Sequence, residues 1–430
     1  MVVAPFVPGP GSDLAFHRFV VGLVHSTTEN NVLKLKGDEA YLFAANEPNF
    51  FFGNKMFIRP VYALLAAGMD ENLADYCTVM VEGTPGVGNT MMRNWYAKHL
   101  MTTPFGPDEL VRTIFLHSSD TPMYYMIKME RIPVDPVLAV NAPVVDAEGS
   151  QVVPNVPIRV VVTASFGQNI INDREEASPT GIAYSLVDVE SGGVCKDVDV
   201  PSRREDQLVL FASAYNSAHE KFRKFRMCSY YTPLWTLTEL QEANAALGLG
   251  LSVKTIIDRY RKIGGIPQFV FVRKQHQFDR YTNITLSQKA LEMCRIDTIE
   301  QLYKTTRCRS AECLHSLAYY FVSFPGPGTA DYPFADVEIN WGTMFIAVEV
   351  VGKACDDLFT ANFRSDDFYY YSTGSSSIFS TMYKGWMIRK LVVEGLTGMR
   401  WAPTAAARGS RFMTTAFFGN GDKCTCSLCV

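Results

Sequence analysis

An apolar, β-leaning run from Tyr76 to Val81 enters the turn Gly83-Thr84-Pro85-Gly86-Val87-Gly88, after which Met91, Met92, Trp95, Tyr96 and Leu100 recur at helical spacing. That pattern predicts strand, loop, helix. Short apolar runs bounded by turn residues or charges follow at Val111–Leu116, Tyr124–Met129, Ile158–Thr163, Ile182–Val187 and Leu208–Ala212, and each reads as a strand. An α/β sheet accommodates them. Between them, Ile132–Pro157 is rich in Pro, Val and Asp without helical period and reads as an insertion or extended connection. Residues 1–60 are mixed and aromatic-rich, with Asn49-Phe50-Phe51-Phe52-Gly53-Asn54 as a turn, and read as a lead-in.

The pattern changes near Trp235. Thr236-Leu237-Thr238-Glu239 has the spacing of a capping box, in which the hydroxyl takes one helix N–H and the carboxylate reaches back to another. It predicts a helix to about Leu247, stopped by Gly248 and Gly250. Val253, Ile256, Ile257 and Tyr260 predict a second helix ending at Gly264-Gly265, and Leu286–Tyr303 a third. Mixed patterning resumes near Ala318, and the tail after Pro403 shows little periodicity. The chain therefore divides into a lead-in (1–60), an α/β core (61–232), a helical subdomain (233–316), a mixed region (317–402) and a tail of low order (403–430). No internal repeat is visible.

Length and charge narrow the reading. At 430 residues the chain has room for two or three domains of ~150 residues. Forty Lys+Arg against forty-four Asp+Glu leave a formal charge of -4, which supplies no global attraction for nucleic acid or anionic membrane. No apolar run approaches the ~18–20 residues needed to span a bilayer. The start Met1-Val2-Val3-Ala4-Pro5 lacks a basic segment, and Pro8, Pro10 and Asp13 interrupt any early apolar stretch, so no cleavable leader is expected. The ten cysteines are mostly scattered singly, which suits reduced thiols better than a disulfide framework.

The segment Gly83-Thr84-Pro85-Gly86-Val87-Gly88-Asn89-Thr90 fits the phosphate-binding pattern G-x-x-x-x-G-K-[ST] at every fixed position except the lysine. Its glycines let backbone N–H groups converge on phosphate oxygens, the following helix N-terminus adds partial positive charge, and Thr90 offers a hydroxyl to Mg²⁺. The ammonium that would reach the outer phosphates is replaced by the neutral amide of Asn89. Losing a charge-assisted hydrogen bond of ~1.5–3 kcal/mol weakens nucleotide binding by about ten- to a hundredfold, and hydrolysis falls further, by about 10²–10³. The metal-holding carboxylate of such a site ends a buried strand. Ile182-Ala183-Tyr184-Ser185-Leu186-Val187-Asp188 fits, with Glu190 two residues on, and Leu208–Ala212 ends in Ser213, where a polar sensor beside the outer phosphate is expected.

The order of these motifs resembles the crinkler and retrotransposon-hot-spot type of P-loop NTPases, found as oomycete effectors and trypanosome nuclear proteins. Phe57-Ile58-Arg59-Pro60-Val61-Tyr62 is similar to the family's aromatic-Val-Arg-x-x-Tyr segment, Gly83–Thr90 to its Gly-Thr-Pro-Gly-Ile-Gly-Lys-Ser loop, and Tyr184–Asp188 to its Tyr-Leu-Val-Asp strand. Pro233–Leu240 resembles its Pro-x-Trp-Ser-x-x-Glu-Leu entry to a helical lid, and Gly264-Gly265-Ile266-Pro267 its Gly-Gly-Ile-Pro-Arg-Tyr-Val motif. The matches run from Phe57 to Val270. Two departures, Asn89 for the loop lysine and Gln268 for the arginine after Gly-Gly-Ile-Pro, each remove a cation that would face phosphate.

The resemblance implies an α/β P-loop NTPase sheet of AAA/STAND-like kind, with a helical lid subdomain and a mixed α+β C-terminal region. It implies ATP or GTP with Mg²⁺ as ligand, cradled by Gly83–Gly88 with Gly265 and Pro267 closing from the lid. Thr90 and Asp188 would hold the metal, and Asp188 and Glu190 would serve hydrolysis. It also implies secretion into a host cell or a nuclear location, with host or nuclear proteins as partners. The competing reading is a non-enzymatic effector or interaction scaffold that keeps a pseudo-NTPase fold.

Other features add less. Leu42-Phe43-Ala44-Ala45-Asn46 echoes the crinkler Leu-Phe-Leu-Ala-Lys signature. Lys221-Phe222-Arg223-Lys224-Phe225-Arg226 interleaves base and aromatic as a DNA-binding surface would, or as a half-buried helix would. Asp336 and Glu349 are candidate carboxylates of a metal-dependent nuclease, but Lys353 follows Glu349 at the wrong spacing for one. Cys424-x-Cys426-x-x-Cys429 lacks a nearby fourth zinc ligand. Asn283-Ile284-Thr285 is a glycosylation sequon that matters only in a secretory lumen. Arg259, Arg261 and Arg273 lie near the Gly-Gly-Ile-Pro motif and are candidates for replacing a lost cation.

Overall fold

Every residue of Thr78–Gly83 is buried, as befits a strand with neighbours on both edges and packing on both faces. The computed structural model describes residues 2–3, 14–36, 54–76, 78–106, 109–117, 123–131, 158–166, 182–189, 206–213, 227–272, 274–293, 317–322, 334 and 337–346. All belong to the first of two units into which the chain divides, Met1–Arg389. In chain order the strands are Val2–Val3 (β1), Thr27–Glu29 (β2), Val32–Lys34 (β3), Lys55–Phe57 (β4), Thr78–Gly83 (β5), Val111–His117 (β6), Met123–Arg131 (β7), Ile158–Phe166 (β8), Ile182–Val189 (β9), Asp206–Ser213 (β10), Cys228–Thr232 (β11), Ala318–Val322 (β12) and Val337–Trp341 (β13).

Eight of them make one sheet, ordered β1-β8-β7-β6-β9-β10-β5-β11. From β11 through β5, β10 and β9 to β6 all neighbours are parallel. Beyond β6 the sheet is mixed, because β7 runs antiparallel to both β6 and β8. The predicted strands all lie in this sheet, so the α/β reading holds, with an antiparallel member added. The strands β2, β3 and β4 form a separate antiparallel sheet, as do β12 and β13.

Three helices, Leu14–Val24 (α1), Pro60–Tyr76 (α2) and Asn89–Thr102 (α3), feed one apolar cluster with the sheet. It gathers Phe19 and Leu23 of α1, Tyr62, Leu65 and Met69 of α2, Met92, Tyr96 and Leu100 of α3, and Val79, Val81, Leu186, Val209 and Phe211 of the strands. Val79 and Val81 face this cluster while Met80 joins Val187, Leu208 and Leu210 in a second one, the period-two alternation of a pleated strand. Each fully buried Leu, Met or Phe contributes about 1.5–3 kcal/mol. The segment read as a lead-in thus supplies a helix to the main core.

Arg112, near the start of β6, closes the end of α3: its guanidinium donates to the carbonyls of Leu100 at 2.6 Å and Thr103 at 2.9 Å. A cation there opposes the negative end of the helix dipole.

After β11 the chain becomes helical at Leu237–Leu247 (α4), Val253–Ile263 (α5), Pro267–Val270 (α6), Gln275–Arg280 (α7) and Leu286–Met293 (α8). A π-helical turn, Tyr281–Thr285, joins α7 to α8. The capping box forms as its spacing predicts: Glu239 N–H donates to Thr236 Oγ1 at 3.1 Å, and Thr236 N–H to the Glu239 carboxylate at 2.8 Å. Gly248 stops α4 at φ 68. The helix expected from Leu286 starts there, and its continuation past Met293 lies outside the described residues. So do Ile132–Pro157 and the tail from Pro403. No helix among the described residues is long and apolar enough to cross a membrane.

Candidate functional site

Strand β5 ends at Gly83 and helix α3 begins at Asn89, so Thr84–Gly88 is a short loop at the carboxyl end of a central parallel strand. In chain order its neighbour β10 is followed by β11, on the far side of β5, while β5 is followed by β6, which lies beyond β10 and β9 on the other side. Ligands of open α/β sheets settle where connections diverge in this way. Gly86 and Gly88 have φ of 83 and 108, a region that side chains avoid. Gly83 has no such angle but no room either: a Cβ there would come 2.7 Å from Asn89 Oδ1 and 2.8 Å from Val87 Cγ1. Inside the loop the Val87 N–H donates to the Thr84 carbonyl at 3.0 Å, with Thr84 buried and Pro85 half-buried.

Gly88 precedes the first residue of helix α3 and has no side chain to cap it. Its first-turn N–H groups and the positive end of its dipole face the loop, an arrangement that favours an anion. Tyr62, on α2, adds a second sign. Its hydroxyl is buried with no hydrogen-bond partner, and a Cβ on Gly88 would lie 3.6 Å from it. Burial pushes its pKa up to about 12, which keeps the hydroxyl a neutral donor.

Asn89 occupies the position where the pattern has lysine. Its Nδ2 donates to the Ala212 carbonyl of β10 at 2.6 Å, and its Oδ1 is buried without a hydrogen-bond partner. Thr90, the second residue of α3, is half-buried. Ser213 is paired in register with Gly83, which sets its backbone beside the start of the loop.

Asp188 lies on β9, one strand beyond β10, in register with Phe211. Its side chain is 7% exposed, and its Oδ2 stands 3.6 Å from Nη1 of Arg93, itself 2% exposed. That oxygen has no hydrogen-bond partner, so charge rather than a directed bond joins the two. Arg93 also donates from Nε and Nη2 to Asn94 Oδ1 at 3.3 and 3.2 Å. Mg²⁺ needs oxygen ligands at about 2.0–2.1 Å and keeps several waters. A buried guanidinium beside Asp188 already meets that carboxylate's charge and repels a divalent ion, so Thr90 and Asp188 do not fit as a magnesium pair. Among the described residues no group of three or more His, Cys, Asp or Glu gathers that could hold a metal. Glu190 lies outside the described residues.

A segment remote in sequence covers the loop. Trp235 donates from its indole N–H to the Val87 carbonyl at 2.8 Å, in a buried hydrogen bond. Its backbone N–H donates to the Gly265 carbonyl at 3.0 Å, and Gly265 lies so close to the Trp235 backbone that no side chain would fit. Pro267 is buried at the start of α6, and the Gln268 N–H donates to the Gly86 carbonyl at 3.4 Å. A Cβ on Gly86 would collide with the Gln268 side chain and meet Ile266 Cγ2 at 3.0 Å. Ile266 and the neutral Gln268 therefore stand against Gly86, whereas Gly265 meets the backbone of Trp235 and is joined to the loop only through that residue.

Arg59 anchors this arrangement. Fully buried, it donates to both Glu239 oxygens at 2.9 and 3.2 Å and to the carbonyls of Pro233 at 2.8 Å and Leu234 at 3.0 Å. Its guanidinium lies 5.0 Å from the Trp235 ring. Trp235 in turn meets Phe57 and, edge-on, Phe271.

Arg259 does not replace a lost cation, because it donates to the Val270 carbonyl at 2.8 Å, to that of Val272 and to Gln275. Arg261 is exposed, and Arg273 lies outside the described residues. Asn283 is exposed within the π-helical turn. Leu42–Asn46, Lys221–Arg226, Asp336, Glu349 and Cys424–Cys429 also lie outside the described residues. Two residues of the site were missed by sequence reasoning: Arg93 as the partner of Asp188, and the hydroxyl of Tyr62. A signal for Arg93 existed, since it falls between Met92 and Tyr96 on the buried side of α3.

No family model matches the chain, and no curated protein matches it. Among solved structures, a Walker-type ATPase of Pyrococcus abyssi is similar at 13% identity over 57% of this chain and 76% of that one, with a TM-score of 0.28.

Proposed function

We propose that the chain binds the phosphates of ATP or GTP at Gly83–Thr90, weakly, and hydrolyses them slowly or not at all. The observation that carries this is the loop itself: glycines at 83, 86 and 88 bend β5 into the uncapped N-terminus of α3, with Ile266 and Gln268 packed against Gly86. Backbone N–H groups of the loop and first helical turn would bind phosphate oxygens, and Tyr62 would donate a further hydrogen bond. Ser213 would sit near the outer phosphate. Helices α4 to α8 would act as a lid, with Trp235 as the latch between lid and loop. With Asn89 and Gln268 both neutral, neither position supplies a cation to the charge that develops on a transferring phosphoryl group, so turnover would be slow. Asp188 would be a structural partner of Arg93, and Glu190 is the residue left to orient water.

The crinkler or hot-spot resemblance would make the protein a host-directed or nuclear effector that uses nucleotide as a switch. A scaffold without nucleotide is favoured by one observation, the engagement of the Asn89 amide by the Ala212 carbonyl. Photolabelling with 8-azido-ATP followed by peptide mapping separates the two. Nucleotide binding at the loop predicts label that excess ATP or tripolyphosphate removes, because both compete for the same phosphate site. Label that neither removes, or no label, overturns it.

A further inference from the structure

Asn89 and Arg93 are one helical turn apart on α3 and face adjacent strands, Asn89 reaching Ala212 of β10 and Arg93 reaching Asp188 of β9. Where a phosphate loop would pair a lysine with a metal-bearing carboxylate, this chain has a neutral amide and a cation already placed at the carboxylate. We infer that Arg93 supplies the positive charge at Asp188, so that this protein holds nucleotide phosphate without a divalent ion. The inference rests on the nucleotide-binding reading above and names the form of the ligand: the unchelated phosphate chain rather than its magnesium complex.

The chemistry favours the guanidinium over a metal. Arginine does not lose its proton in proteins, so a side chain 2% exposed holds a permanent buried charge. Asp188, 7% exposed, is the carboxylate it meets. A divalent ion at Asp188 would be a third charge in the same buried space, with like sign to Arg93 and little water to screen it. The Asp188 Oδ2 that lacks a hydrogen bond is the oxygen nearest Arg93, and a small approach of the two converts the contact into one. An anion at the α3 N-terminus then meets backbone N–H groups, the helix dipole and the Tyr62 hydroxyl, none of which needs a metal.

The test has a nucleotide arm and a metal arm, both on the full chain. ATP is titrated calorimetrically in EDTA and in excess Mg²⁺, and Mn²⁺ alone is titrated by electron paramagnetic resonance. The expected result is an ATP affinity equal within about twofold in the two buffers, and no protein-bound Mn²⁺ at about millimolar metal. Affinity that falls about tenfold or more in EDTA overturns the inference while leaving nucleotide binding intact. So does Mn²⁺ binding to the wild type that Asp188→Asn removes. ATP binding in neither buffer overturns the nucleotide-binding reading instead, and the Mn²⁺ arm then decides the role of Arg93 alone. Arg93→Met, which exposes the Asp188 carboxylate to a metal, should take up Mn²⁺; a folded variant that does not counts against the inference. Should that variant not fold, the wild-type arms decide.

Discussion

Replacing Arg59 with alanine tests how the loop and its cover are held together. The side chain is 1% exposed, and its fork makes two hydrogen bonds to Glu239 and one each to the Pro233 and Leu234 carbonyls. Truncation leaves those carbonyls without their donor and removes the cation from a buried carboxylate. A buried acceptor stripped of its donor costs about 1–3 kcal/mol, and breaking a buried ion pair from one side about 3–5 kcal/mol. Glu239 is 15% exposed and keeps the Thr236 N–H at 2.8 Å, so water and the capping bond relieve part of the second cost. The expected loss is about 3–4 kcal/mol, a large share of the ~5–15 kcal/mol that stabilises a domain. Urea unfolding followed by tryptophan fluorescence measures it. Arg59→Lys should recover less than half, because an ammonium cannot span the fork. The double mutant with Glu239→Gln should show coupling of about 1–3 kcal/mol. An alanine variant losing less than about 1 kcal/mol would refute the reasoning.

Other consequences follow from single contacts. Trp235→Phe removes the indole donor to Val87 together with part of a buried ring; it should cost more than about 1 kcal/mol in urea and speed amide exchange in the loop. Gly86→Ala meets both a φ of 83 and the Gln268 side chain, so it should destabilise by more than about 1 kcal/mol, with partial rescue by Gln268→Ala measured in the same titration. Thr236→Ala, which opens the capping box of α4, should cost about 1 kcal/mol by thermal unfolding. Burial pushes Tyr62 and Tyr184 up to about 12. Between pH 10 and 12 the unfolded chain therefore binds fewer protons than the folded one, and stability should fall as pH rises through that window, by up to roughly 3 kcal/mol for Tyr62. Absorbance at the tyrosinate band should show ionisation delayed until unfolding.

Local chemistry was readable along the chain, and long-range pairing was not. The capping box at Thr236 and the glycine stops at Gly248 and Gly264 depend on neighbours within a few residues, and each stands where its spacing puts it. Strand segments were legible from their apolar runs, whereas the antiparallel course of β7 depends on pairing with distant strands. Helix α2 is legible in the spacing of Val61, Leu65, Met69 and Leu73 behind Pro60, a favoured first helical residue, although the Phe57–Tyr62 motif covers only its first turn. The loop glycines announced themselves because their backbone angles and close approaches exclude other residues. Asn89 was visible as a departure, yet its bond to Ala212 was not, since nothing near Asn89 in sequence names a carbonyl on β10. Arg93 and Asp188 belong to different layers of the fold, and only the packing of α3 on the sheet sets one against the other.

The most direct test of the central claim is calorimetric titration of ATP into the wild type beside Asn89→Lys. If Gly83–Thr90 is a phosphate loop that lacks its cation at Asn89, the wild type binds weakly and the restored ammonium tightens binding by about ten- to a hundredfold. Equal affinity in the two proteins, or heat of binding in neither, would contradict the assignment of this loop to nucleotide.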